Sequence, residues 1–258
     1  MESLPNPSAP PAIEMHEVAV GAMRDQRLTV LEGINWRVAE GDYWVVAGLQ
    51  GSGKSDFLMM TGGLMPPLAG VYTLFGEPMP IFEESRLKKR LRLGLAFETG
   101  QLFNQLTVAQ NIALPLRYHE NLRHSEAKAR VQPILDAMEL GPWADSTPGA
   151  IGRNWQKRVG LARALVLKPD VLLVDSPLTG LDLRHVNWWL GFLDALSRGH
   201  ALPGGGPMTL VVTAADLRPW KNRARQFAVL KGNRFSVLGA WSQLEAVSDE
   251  LVQELLTT

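Results

Sequence analysis

The run Gly48-Leu49-Gln50-Gly51-Ser52-Gly53-Lys54-Ser55 spaces its glycines, one lysine and one hydroxyl as G-x-x-x-x-G-K-[ST]. Residues of these types at these offsets can hold a polyphosphate. Gly51 and Gly53 let the backbone curl so that amide N–H groups point inward at phosphate oxygens. A helix opening at Lys54 turns its positive end toward the same anion. Lys54 adds a point charge for the β- and γ-phosphates, and the Ser55 hydroxyl is a magnesium ligand. Roughly 120 residues on, VLLVDSP (171–177) is an apolar run ending in Asp175. That is the form of a buried strand that delivers a carboxylate to a metal beside the phosphates. A chance glycine turn accounts for the loop alone, but not for the loop together with this strand.

These residues need strands and helices to place them. YWVVAG (43–48) reads as a fully buried strand entering the loop, and GKSDFLMMTGGL as the helix leaving it. IEMHEVAV (13–20), INWRVAEG (34–41), VYTLF (71–75), LGLAF (93–97), MTLVVT (208–213) and FAVL (227–230) are further strands. The spacing predicts a charged surface helix over 81–93. It predicts helices over 107–119, 124–140, 155–167 and 184–198, and one amphipathic helix over 241–256. Apolar strands alternating with helices imply an α/β fold, a mostly parallel sheet flanked by helices. The helix-rich stretch of about 104–166 reads as an inserted helical subdomain within a domain spanning 12–258.

Bulk composition narrows the function. The 258 residues are 46% hydrophobic and 20% charged, as in a soluble globular domain. Formal net charge is zero, which gives no support to a nucleic-acid partner. With no cysteine, disulfides and thiolate metal sites are excluded. No apolar run is long enough to span a membrane, and the start MESLPNPSAPPAIEM lacks the pattern of a secretory signal. Residues 1–11 read as a disordered tail. A cytoplasmic protein is expected.

The order and spacing of these segments resemble the nucleotide-binding subunit of ABC transporters from about Ile13 onward. The resemblance rests on the phosphate loop, FETGQLF after the third strand, the helical insertion and the helix ending LARAL. VLLVDSP, the turn LTGLD and VVT followed by AAD complete it. The stretch GLAFETGQLFNQLTVAQNIALPLRYHENL is similar to the ATPases of Mla/Mce-type phospholipid transporters. The resemblance implies a P-loop NTPase core of the ABC ATPase type with a β-rich lobe and the helical subdomain. It implies ATP and Mg2+ as cofactors, with Gly48, Leu49, Gln50, Gly51, Ser52, Gly53, Lys54 and Ser55 around the nucleotide. Ser55, Asp175 and Glu98 would lie at the metal, and Asp182 at a dimer contact. Its partners would be a second ABC ATPase subunit, identical or paralogous, and membrane permease subunits. The chain would then sit on the inner face of the cell membrane.

Several positions depart from that pattern. Aligned on Arg158, the expected LSGGQ reads Ile151-Gly152-Arg153-Asn154-Trp155. The expected glutamine after Phe97 is Glu98, and the expected histidine after VVT is Ala214. The glutamate expected after Asp175 is Ser176, whose hydroxyl has no accessible basic form near neutral pH. An adenine-stacking aromatic is lacking in VAVGAMRDQRL, leaving Met23 or a neighbour to serve, and His200 reads as a surface residue. Retained Mg-ATP binding with weak or absent hydrolysis is therefore expected. Two alternatives stand beside it: a non-catalytic regulatory or scaffold subunit paired with a paralogous ATPase, and an active ATPase using Glu98 in place of the missing glutamate. A soluble P-loop kinase or repair ATPase fits the spacing less well. Trp188 and Trp189 are candidates for core packing or an interface. Phe103, Leu106, Leu114 and Leu116 are candidates for core packing or a permease groove. The basic run RLKKRLRL (86–93) reads as a solvated helix face, or as a patch meeting acidic lipids or a partner.

Overall fold

The computed structural model describes residues 10–202 and 205–257, so positions 1–9 of the expected tail lie outside the described residues. The chain divides into two units, one holding residues up to Arg90 and from Met208 onward, the other Leu91–Pro207.

The first unit opens with β1 (Ile13–Ala22) and β2 (Asp25–Val38), an antiparallel pair whose register runs from Ile13 opposite Val38 to Ala22 opposite Asp25. β3 (Tyr43–Ala47) is buried at every position, as its unbroken apolar run requires. It leads through the glycine-rich loop into α1 (Lys54–Thr61). β4 (Ala69–Leu74) pairs antiparallel with β1, and the short β5 (Glu77–Pro78) with β4. The charged helix expected over 81–93 is reduced to a 3-10 turn (Glu84–Arg86) and α2 (Leu87–Arg90). Two contacts explain the shortening. Arg86 (2.9 Å) and Lys89 both bond Glu77, which fixes the turn against β5, and Leu93 is taken into the next strand.

That strand, β6 (Leu93–Ala96), belongs to the second unit. Three helices follow: α3 (Val108–His119), α4 (His124–Ala137) and α5 (Arg153–Leu165). Thr107 caps α3 reciprocally with Gln110, the local signal that starts it. β7 (Val171–Val174) is wholly buried and pairs parallel with β6, Leu93 opposite Val171 through Ala96 opposite Val174. α6 (Leu183–Arg198) is N-capped by Asp182, whose carboxylate accepts the His185 N–H at 3.0 Å.

The chain returns to the first unit with β8 (Thr209–Ala214) and β9 (Gln226–Lys231), both parallel to β3. β10 (Arg234–Gly239), which the sequence reading missed, closes a hairpin with β9. Its turn, Gly232-Asn233, has positive φ at both residues (54° and 61°), the geometry that matches strand twist in two-residue hairpins. The sheet is thus mixed: parallel around β3, antiparallel in the lobe built on β1, β2 and β4. The single C-terminal helix expected over 241–256 is two, α7 (Trp241–Glu245) and α8 (Glu250–Thr257). Asp249 causes the break by accepting the Leu251 (2.9 Å) and Val252 (3.3 Å) N–H groups as a fresh cap. Among the described residues, no helix is long and apolar enough to cross a membrane.

Candidate functional site

The phosphate-type loop lies wholly in the first unit. Gly48 N–H donates to the Ala214 carbonyl at 3.1 Å, prolonging the β3–β8 ladder by one residue. The backbone of Ala214, the position where a histidine was expected, is thus brought to the loop's first glycine, with a methyl as its side chain. A Cβ on Gly48 would come within 2.4 Å of Ser52 Oγ and 3.1 Å of the Leu230 carbonyl oxygen, so the loop packs tightly at this glycine. Gly53 has φ 89° and lies so close to β2 that a Cβ would meet Val30 Cγ1 at 2.2 Å. Lys54 is buried and folds back over the loop, donating to the Gly48 and Leu49 carbonyls at 2.7 Å each. Ser55 follows in the first turn of α1. Asp56, next to it, accepts the Met23 N–H at 2.8 Å and fastens the β1–β2 turn to α1. Met23 itself is 61% exposed, free to offer an apolar face where no aromatic is present.

The second unit carries the carboxylates. Asp175 follows β7 directly and is buried, its N–H donating to the Ala96 carbonyl at 2.8 Å. Ser176 Oγ donates to Asp175 Oδ1 at 3.3 Å, and Ser176 takes a left-handed φ of 43°, uncommon for a residue with a side chain. Lys157, from α5, is buried with its ammonium against the Ser176, Pro177 and Thr179 carbonyls at 3.3, 3.2 and 2.7 Å. Burial pushes Lys157 below its ordinary value, and the Glu98 and Asp175 carboxylates oppose that shift. Asp175 and Glu98 both belong to this unit. Their hard oxygens suit magnesium, which binds through one or two carboxylates together with phosphates and waters. Among the described residues, no group of three or more His, Cys, Asp or Glu could hold a metal by itself. A magnesium that arrives with a nucleotide fits this donor set better than a resident one.

The segment at the expected signature position is occupied by packing. Ile151 is buried, Gly152 precedes α5 and Arg153 is its exposed first residue. The Trp155 ring lies 5.5 Å from His185 and 6.2 Å from Trp143. The buried Arg158 guanidinium stacks 4.6 Å from Trp155 and 3.7 Å from Trp188. It also donates to Glu139 (2.8 Å) and the Met138 carbonyl (3.3 Å) and lies 3.2 Å from His185 Nδ1. Trp188 and Trp189 divide as neighbours on a helix do: Trp189 is buried, and Trp188 covers Arg158. His200, expected at the surface, is half-buried against Phe192 and accepts the Leu202 N–H on Nδ1 at 3.1 Å.

Two residues of consequence escaped the sequence reading. Lys157 is one; set between Gln156 and Arg158, it carries no local mark of burial. Asn111 is the other. It is fully buried, accepts the Phe103 N–H and donates to the Phe103, Leu106 and Thr107 carbonyls, so it shapes the loop before α3. Leu116 is core, whereas Phe103 is 53% exposed. The outer flank of the phosphate-type loop, Leu49 to Ser52, walls a cleft of about 290 Å³ with the β9–β10 turn. A cleft of about 340 Å³ between α3 and α4 contains none of the expected site residues.

The family model described as ABC transporter matches residues 31–179. Nod factor export ATP-binding protein I of Burkholderia thailandensis is 38% identical over 162 residues, 62% of this chain and 52% of that protein. Macrolide export ATP-binding/permease protein MacB 1 of Aeromonas hydrophila is 35% identical over 186 residues, 69% of this chain and 28% of that protein. Spermidine/putrescine import ATP-binding protein PotA of Thermobifida fusca is 33% identical over 177 residues, 68% and 45% respectively. The chain spans about half the length, or less, of these curated relatives. A dimeric post-hydrolysis ATP-binding cassette bound to ADP and Pi superposes with a TM-score of 0.76 at 24% identity, covering 89% of this chain and 100% of that one. The cbiO1 protein of Clostridium perfringens, part of the transporter complex cbiONQ, gives 0.72 at 22% identity, covering 95% and 94%. These last two likenesses establish the fold.

Proposed function

Because the chain belongs to the ABC transporter family, whose model matches more than half of it, we propose that it is the ATP-binding subunit of such a transporter, holding Mg-ATP and hydrolysing it weakly or not at all. The observation that carries the binding half is the loop of residues 48–55, closed on Gly48 and Gly53 with Lys54 folded over it. Gly48 to Ser55 hold the nucleotide; Ser55 and Asp175 take the magnesium, with Glu98 as a further ligand. Held by these residues, the metal would supply positive charge against the phosphates. The weak-turnover half rests on three replacements. Ser176 cannot accept a proton from water, Ala214 offers a methyl, and Trp155 is committed to Arg158 and His185.

Partners in this reading are a second ABC ATPase subunit, the same chain or a paralogue, and permease subunits at the inner face of a cell membrane. The dimeric cassette and the complex-forming cbiO1 among its structural neighbours support that pairing. A phospholipid-type cargo is carried by the stretch 94–122 alone, since the relatives' names span Nod factors, macrolides and polyamines. The anchored Trp155 also favours a second reading, a regulatory or scaffold subunit beside a paralogous ATPase.

The test is paired: calorimetry with ATP and magnesium, and phosphate release, on the same sample. Binding with little release is expected. Lys54→Ala should weaken binding roughly 10- to 100-fold, the loss of charge-assisted bonds to phosphate. Release at a rate ordinary for transporter ATPases would remove the weak-turnover half, and failure to bind ATP would remove the whole.

A further inference from the structure

We infer that Lys157 is the positioning residue for Asp175: it pins the segment that follows this carboxylate, and α5, which carries it, also pins the segment that follows Glu98. The inference deepens the ATP-binding reading above and rests on it for its consequence at the metal.

A lysine ammonium has three N–H donors and accepts nothing. Lys157 meets three carbonyls, of Ser176, Pro177 and Thr179, all within four residues after Asp175. The ammonium of a lysine only 8% exposed is costly unless it is bonded and its charge is answered. The carbonyls supply the bonds, and Asp175 and Glu98 supply the opposing charge. The same ammonium helps hold Ser176 in its left-handed conformation, since it grips the carbonyl of that residue and of the next. Asp175, one residue upstream, is thereby held from both sides: its own N–H on the Ala96 carbonyl, and the following turn on Lys157.

One turn along, α5 grips the other carboxylate segment. A Cβ on Gly160 would lie 2.6 Å from Gly100 Cα, and one on Gly100 would lie 2.4 Å from the Gln156 carbonyl oxygen. Backbone therefore touches backbone two residues after Glu98. Arg163 adds a donor to the Gly100 carbonyl at 2.8 Å. The first turn of this helix is the expected signature position. Residues 151–155 have lost the side chains and glycines suited to phosphate, yet the helix they open still sets where both carboxylates stand.

Hydrogen exchange and nucleotide binding, on the full chain, test this. In Lys157→Met, amides of 175–182 should exchange at least about tenfold faster than in the parent, with 48–55 unchanged. ATP affinity without metal should be unchanged. The extra affinity gained with Mn2+ should fall roughly 10- to 100-fold, the usual effect of losing a residue that orients a metal ligand. Lys157→Arg, which keeps the charge and donors, should recover most of the protection. Unchanged exchange at 175–182 would overturn the inference. So would a stronger Mn2+ effect, which would make the ammonium a competitor of the metal. Should Lys157→Met not fold, the same comparison is read on Lys157→Gln, with the same two outcomes counting against it. If the parent chain binds no ATP, the functional proposal fails while the exchange comparison still decides whether Lys157 holds the segment.

Discussion

Ser176 is the side chain on which the weak-turnover proposal chiefly turns. Its hydroxyl bonds the Asp175 carboxylate at 3.3 Å, so it is a neighbour of the expected metal ligand and no substitute for a base. A missing general base accounts for roughly 10²–10⁴ in rate. Restoring it here should return only part of that, because Ala214 and the packed Trp155 are also changed and such effects do not multiply. Ser176→Glu is expected to raise steady-state phosphate release about tenfold, with ATP affinity unaltered. Ser176, Ala214 and Glu98 were all legible as departures from residue order. Lys157 was not, because nothing local says which carbonyls a buried ammonium will meet.

Among the elements, α5 bears most of the positioning. Its Gly160 faces Gly100 with no side chain between, and neither backbone has a flexible end to yield. Gly160→Ala should destabilise the chain by about 1–3 kcal/mol, the cost of overpacking, read as a lowered melting temperature. β3 and β7 were legible as unbroken apolar runs and β8 as a run rich in β-branched residues, and all three are buried throughout. β10 was not, since none of its positions is buried and only its pairing with β9 and β2 gives it a place. The C-terminal helix was misread as one because periodicity continues across Asp249, while the carboxylate of Asp249 starts a new helix.

For the assembled chain, the prediction concerns pairing. Residues 151–155 cannot offer the γ-phosphate of a neighbour a serine or close backbone, since Gly152 and Arg153-Asn154 stand there. With Mg-ATP and no partner protein, light scattering should report a monomer. Replacing Ile151-Gly152-Arg153-Asn154-Trp155 by Leu-Ser-Gly-Gly-Gln together with Ser176→Glu should produce an ATP-dependent dimer. Its absence would mean that pairing is set by surfaces outside these motifs. The amino-acid order by itself determined the phosphate-type loop, the acidic strand end and the alternation of strands with helices. Those features are short-range: glycine spacing sets backbone conformation, and unbroken apolar runs demand burial. Only the tertiary structure decided that Trp155 serves Arg158, that Ala214 props Gly48, and that Lys157 joins three carbonyls some twenty residues away. Such contacts depend on which elements pack together, and in a buried site the partner of a charge is chosen by that packing.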